Sequence, residues 1–67
     1  MRGYRYSFLN APGRVDATLE LHSENDDAAC ELASELLIRS NCIFVEVRRG
    51  ARLIYSIQRD GSGQHAA

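Results

Sequence analysis

The chain has 67 residues, a net charge of -1 and no lysine, so all eight of its cationic side chains are arginines. A domain of this size buries only about 60% of the surface that its unfolded chain exposes, which allows a single domain with a thin core. The near-neutral charge excludes a strong overall attraction to nucleic acid or anionic membrane. No apolar run approaches the roughly 18 residues that cross a bilayer.

The first two predicted strands alternate apolar and polar residues over 4–9 and 15–21, the period of half-buried strands. The segment 10–13, Asn-Ala-Pro-Gly, has the composition of a turn. An even number of loop residues places Phe8 and Val15 on the same face. We therefore predict a hairpin with these residues on the core side: Tyr4, Tyr6, Phe8, Val15, Ala17, Leu19 and Leu21.

A helix is predicted at about 25–39. Ser23 or Asn25 can cap its start, and the acidic residues there lie at the positive end of the helix dipole. Its apolar residues form one stripe: Ala29, Leu32, Ala33, Leu36 and Leu37. The helix is expected to end at 40–41.

Two more strands are predicted at 43–48 and 52–58, again from alternation. Matching their apolar faces requires an odd loop, and 48–50, Arg-Arg-Gly, supplies three residues with Gly50 in the left-handed position. The resulting register pairs Phe44 with Ile54 on the outer side of the sheet.

The predicted fold class is α+β with the order ββαββ, a four-stranded antiparallel sheet with the helix on one face. The helical connection brings the third strand in parallel to the second. An all-antiparallel sheet therefore places the third strand beside the first, in the order 2-1-3-4. Residues 1–60 form this single domain, and 61–67 have no pattern and are expected to be a disordered tail.

Two cysteines, Cys30 and Cys42, form no CxxC pair and lie twelve positions apart. We interpret them as small apolar residues of a reducing compartment, not as disulfide partners or metal ligands. The start of the chain lacks the apolar core of a signal peptide. We therefore expect a cytoplasmic protein that binds no membrane and no metal, and self-association is the expected supplement to its thin core.

The sheet face away from the helix is the candidate interaction surface, because nothing predicted in the chain covers it. Its expected residues are the apolar Leu9, Phe44 and Ile54 and the polar Arg5, Arg52 and Glu46. Packing of two such faces about a two-fold axis would bury the apolar residues. The expected function is a protein-interaction module acting as a homodimer; an unidentified protein is another possible partner, and a monomer is the simplest alternative.

Binding of single-stranded nucleic acid is the alternative function. Aromatic residues and arginines interleave on a small sheet, as in stacking platforms. The candidate phosphate contacts are Arg5, Arg48, Arg49 and Arg52. Since Phe44 is the single aromatic residue predicted to face outward, the sequence favours protein association.

The sequence does not predict an enzyme. His22 and His65 are its two histidines, and the predicted fold places neither beside a fixed serine, cysteine or carboxylate. Asp26 and Asp27 are adjacent at the start of the helix, where capping explains them better than catalysis. We predict no catalytic residue and no cofactor.

Several segments together resemble small uncharacterised proteins of alphaproteobacteria: the Tyr-rich first strand, Gly-Arg-Val at 13–15, Asp-Asp-Ala-Ala at 26–29 and Val-Glu-Val-Arg-Arg-Gly-Ala-Arg-Leu-Ile-Tyr at 45–55. The resemblance covers residues 4–57. It implies the ββαββ fold and a bacterial cytoplasmic origin. It implies no functional residue, because that family has no assigned activity.

Overall fold

The computed structural model describes residues 2–11, 13–60 and 63–65. Its elements are β1 (Arg2–Ala11), β2 (Arg14–Ser23), α1 (Asp26–Arg39), β3 (Phe44–Arg49), β4 (Arg52–Gln58) and β5 (Gly63–His65). Neighbouring strands are antiparallel, and the sheet order is β2-β1-β3-β4-β5. The predicted ββαββ arrangement and the order 2-1-3-4 of its four main strands are confirmed.

The short strand β5 differs from the disordered tail expected after residue 60. Gly63 pairs with Ile57 of β4. A Cβ atom at position 63 would collide with the hydroxyl group of Tyr55, so the tyrosine ring occupies space that glycine leaves open. The other tail positions, 61, 62, 66 and 67, lie outside the described residues.

The helix begins at the predicted cap. The side-chain oxygen of Asn25 accepts a hydrogen bond from the backbone N–H of Ala28 at 2.8 Å, which satisfies one of the free N–H groups of the first turn. The predicted apolar stripe faces the sheet: Ala29, Ala33 and Leu37 are buried, and Leu32 and Leu36 are half-buried.

The core lies between α1 and the middle of the sheet. Its buried strand residues come from β1, β3 and β4: Tyr4, Tyr6, Val45, Val47, Ile54 and Ile57. Among the described residues of β2, Leu21 is the one that packs against this cluster. The helix therefore covers β1, β3 and β4 and reaches only the end of β2, so that residues 14–20 of β2 lie outside.

The prediction that Val15 and Leu19 lie under the helix is wrong, since they are 51% and 39% exposed. Register shifts near the turn pair Val15 with Leu9, so it does not share a face with Phe8. Leu19 pairs with the buried Tyr6 and faces the helix side of the sheet. A helix about 10 Å wide does not reach that far across strands about 4.8 Å apart.

The turn between β3 and β4 is shorter than predicted. Arg49 pairs with Arg52, which leaves two residues in the turn, Gly50 and Ala51. Gly50 has a φ of 63° and Ala51 has a negative φ, the combination found in type II′ turns. The odd residue that parity requires lies in β4 instead, where the register shifts opposite Val47 and Arg48.

This bulge moves Ile54 to the helix side of the sheet. Ile54 is the additional residue, since both of its neighbours have partners in β3 and it has none. It is 8% exposed and belongs to the cluster under α1. The predicted pairing with Phe44 is therefore wrong, and Phe44 pairs with Gln58.

Arg59 connects the residues after β4 to the end of α1. Its guanidinium group donates hydrogen bonds to the carbonyl oxygens of Leu37 at 2.8 Å, Cys42 at 2.9 Å and Ser40. The last carbonyl groups of a helix lack partners within the helix, and a cation is favourable at this end. Arg59 thus acts as a side-chain cap for α1.

Replacing Arg59 with alanine should lower the free energy of unfolding by about 1–3 kcal/mol, because hydrogen bonds from a charged donor to three carbonyl groups are lost. The matched control is Arg39→Ala at the same end of the helix. The Arg39 side chain is 80% exposed and lies 3.7 Å from Glu35, so its loss should cost less than about 0.5 kcal/mol. Urea denaturation measures both; equal losses would contradict the capping role.

Replacing Gly50 with alanine should lower the free energy of unfolding by about 1 kcal/mol, because its φ of 63° is unfavourable for a residue with a Cβ atom. Gly3→Ala is the control, since the nearest atom to a Cβ there is 3.9 Å away. Thermal and urea denaturation would compare the two variants. An unchanged stability for Gly50→Ala would show that the turn tolerates another conformation.

Candidate interaction surfaces

The sheet face away from α1, here called the outer face, offers fewer apolar contacts than predicted. Strand pairing places Leu9 and Phe44 together on it. Leu9 is only 2% exposed, however, and Phe44 is half-buried. Because Ile54 lies under the helix, Phe44 is the one predicted apolar anchor that remains partly accessible there.

Two predicted polar residues of the outer face are paired within the chain. The Arg5 Nη2 atom lies 2.9 Å from Glu20 Oε1, and the Arg48 Nη2 atom lies 3.5 Å from Glu46 Oε1. These cross-strand and same-strand pairs neutralise their own charges. Charged groups of the outer face are therefore paired with each other within the chain and offer few free charges to a partner.

Arg49 belongs to a cluster at the start of α1. Its Nη1 atom donates to Asp26 Oδ1 at 3.0 Å, and the Tyr4 hydroxyl donates to the same oxygen at 2.7 Å. The hydrogen bond from Tyr4, assisted by the Arg49 charge, lowers the pKa of Asp26 against the effect of burial. Burial, followed by the bond to Asp26, raises the pKa of Tyr4. This cluster anchors the helix to β1 and β3.

Arg52 lies elsewhere than predicted. It is exposed and pairs with Arg49 beside the type II′ turn, at the end of the hairpin. The structure therefore does not bring Arg52 together with Glu46, which pairs with Ser56. The polar residues predicted for the outer face therefore lie in two separate regions of the molecule.

A hollow of about 240 Å³ lies near the end of the β1–β2 hairpin, where Gly3 carries no side chain opposite His22. Its lining comprises Gly3, Tyr4, Arg5, Glu20, Leu21, His22 and Gly50. Arg5 and Glu20 bond to each other, so the hollow presents little unpaired charge to a ligand. Within the described ranges, no group of three or more His, Cys, Asp or Glu residues could hold a metal ion.

The free edge of β2 is an accessible surface of the sheet. Seven successive residues, 14–20, are exposed, and no strand of the described chain pairs with the other side of β2. Backbone N–H and C=O groups on that side are available for pairing. Sequence reasoning did predict β2 at an edge, but it overlooked this surface because it placed the helix over β2.

The fold and its surfaces thus define a single-helix α+β domain with an open edge strand. No family model, curated protein or solved structure matches this chain. The resemblance to small alphaproteobacterial proteins therefore stays a prediction. In the part of the chain that the structure describes, no helix has the length and apolar character needed to span a membrane.

Replacing Asp26 with asparagine should destabilise the protein most at neutral pH. Because the folded-state pKa of Asp26 lies below its ordinary value of 3.8, the contribution of the carboxylate is complete above that pH. It is lost as the pH falls below that value through the folded-state pKa. The difference in free energy of unfolding from the wild type should therefore be constant from about pH 7 to 5 and shrink below about pH 4.

Urea denaturation across this range measures the effect, with Asp27→Asn as the control. Asp27 is an exposed residue of the same helical turn, and its replacement should change stability little. A deficit in Asp26→Asn that persists at full size at about pH 3 would show that the carboxylate charge is not its source.

Proposed function

We propose that this chain is a protein-interaction module that acts as a homodimer, not as an enzyme, and that it associates through the free edge of β2. The observation that carries the proposal is the exposure of this ten-residue strand at seven successive positions. Its apolar Val15 and Leu19 are 51% and 39% exposed. An edge that combines free backbone groups with apolar side chains is a template for pairing with another chain.

The small size of the domain supports the same proposal. One helix covers part of a five-stranded sheet in a chain of 67 residues. Domains this small often add a disulfide, a metal or a partner subunit to their core. Cys30 and Cys42 are both free thiols, and a second copy of the chain would extend the apolar surface beside the core.

The free edge of β2 has more support than the outer face. A partner on the outer face would gain little from Leu9, which is 2% exposed, and nothing from Ile54, which lies under the helix. Its apolar contacts would be the half-buried Phe44 and Leu53 and, at the margin, Val15, among charges that already bond within the chain. A partner at β2 would gain backbone hydrogen bonds and exposed apolar contacts together.

Single-stranded nucleic-acid binding has less support. Arg5, Arg48 and Arg49 each lie within 3.5 Å of a carboxylate oxygen. Phosphate groups would have to compete with these carboxylates for the same guanidinium groups. Arg52, the fourth predicted contact, is exposed beside the β3–β4 turn.

We also propose a cytoplasmic location in a bacterium. The location is supported by the two free thiols, since a reducing compartment keeps cysteines in this state. The bacterial origin is supported by the resemblance of residues 4–57 alone.

Sedimentation equilibrium tests the proposed dimer. The wild type should show a reversible monomer–dimer equilibrium, and Leu19→Lys should weaken it at least about tenfold, because a charge is placed in a newly buried apolar contact. Ile38→Lys is the control: Ile38 is 73% exposed on the helix, so its dissociation constant should match that of the wild type.

A Phe44→Ala variant separates the two candidate surfaces in the same experiment. If Phe44→Ala weakens the dimer and Leu19→Lys does not change its dissociation constant, the interface lies on the outer face. A dissociation constant of about 1 mM corresponds to a binding free energy of about 4 kcal/mol. A wild type that stays monomeric up to this concentration would contradict the homodimer itself.

A further inference from the structure

We propose that β2 pairs antiparallel with β2 of a second copy about a two-fold axis. The axis passes midway between Leu19 of one copy and Leu19 of the other, and we call this the register centred on Leu19. This inference rests on the proposed function and specifies its geometry. It joins two five-stranded sheets into one continuous sheet of ten strands. Both helices then lie on the same face, because the axis is perpendicular to the sheet.

Symmetry restricts the possible registers. Residues directly opposite each other in an antiparallel pair point to the same face of the sheet. Since side chains alternate between faces, two opposing residues of identical strands must differ by an even number. One residue of β2 therefore lies directly opposite its own copy, with the two-fold axis midway between them. Each choice of this central residue brings different side chains together.

Charge disfavours two of the central registers. With the axis at Thr18, Asp16 of each copy faces Glu20 of the other. With the axis at Glu20, the two Glu20 carboxylates face each other. Like charges directly opposite across a strand pair are destabilising, and the exposed pairs that these carboxylates make with Arg5 and Arg14 offset the repulsion only in part.

The register centred on Leu19 avoids these contacts. It places Thr18 opposite Glu20 of the second copy, whose charge is held by Arg5 at 2.9 Å, and keeps Asp16, which lies in the register shift, away from Glu20. On the helix side, Leu19 meets Leu19 of the second copy, beside contacts between Ala17 and Leu21. Ala17, Leu19 and Leu21 of the two copies thus form one row on the helix side, next to the two existing cores.

Strand regularity separates this register from one centred on Ala17. Residues 17–23 of β2 pair with β1 without interruption, whereas the register shifts between Ala17 and Val15. Bulges protect edge strands from pairing because they bend and twist the strand. An axis at Ala17 would lie beside this irregularity, while an axis at Leu19 lies within the regular segment.

Apart from Glu20, the regular part of β2 lacks the other usual protections of an edge strand. Lysine and proline are common devices against edge pairing, but the chain has no lysine and residues 17–23 contain no proline. Pairing of two edge strands with one row of side chains buries less than the roughly 1,200 Å² of a standard interface. The dimer should therefore be reversible.

Disulfide trapping tests the register in the full chain with its native cysteines replaced, Cys30→Ser and Cys42→Ala. Leu19→Cys should crosslink to itself under mild oxidation, since opposing Cα atoms lie about 4.5–5.5 Å apart, within the range of a disulfide. Ala17→Cys and Thr18→Cys are the controls. Their equivalent atoms would be about 14 Å and 8 Å apart, so each should crosslink at least tenfold more slowly.

A second pair guards against unfavourable disulfide geometry at the axis. An equal mixture of Thr18→Cys and Glu20→Cys chains should give a heterodisulfide, because these residues face each other in the proposed register. Circular dichroism would confirm that each variant keeps the fold. Crosslinking at Leu19 or in this mixture supports the proposal.

Other outcomes would overturn it in distinguishable ways. Fastest crosslinking of Ala17→Cys or Thr18→Cys with itself would show a different register. A dimer in sedimentation equilibrium without crosslinks at any of these positions would show that another surface forms the dimer; the homodimer would stand, but its proposed location at the edge of β2 would not. A monomer in sedimentation would contradict both proposals.

Discussion

The width of one helix is the constraint on which the surface of this protein depends. An α-helix with its side chains is about 10 Å across, while five strands at a spacing of about 4.8 Å span roughly 20 Å. α1 lies over β1, β3 and β4, whose side chains fill the core. The exposure of β2 follows from this geometry and not from its composition, because Leu19 is as apolar as the residues that the helix does cover.

Polar contacts at both ends of α1 determine which strands it covers. Asp26 at its start bonds to Tyr4 and Arg49, and Arg59 bonds to the carbonyl groups at its end. Residues 15–38 contain acidic side chains and no arginine, and the arginines lie before or after them. Folding brings Asp26 of the acidic segment against Arg49. Arg49, which the sequence suggested as a binding residue, is thus explained by the position of the helix.

The errors of sequence reasoning come from single additional residues in strands. Alternation correctly indicated that the β3–β4 hairpin needs an odd residue, but that residue can lie in the turn or in a bulge. The structure places it at Ile54, which turns this side chain toward the helix. Register shifts between β1 and β2 likewise pair Val15 with Leu9. One extra residue reverses the face of the side chains beyond it.

The sequence by itself determined the main elements, the apolar stripe of the helix and the order of four strands, because periodicity, capping residues and connection geometry act locally. Only the tertiary structure decided which side chains remain accessible. Tyr6 is 0% exposed and Leu19 is 39% exposed, although the two are cross-strand partners on the same face of the sheet. Periodicity reports the direction in which a side chain points, whereas burial depends on which other elements come to lie over it.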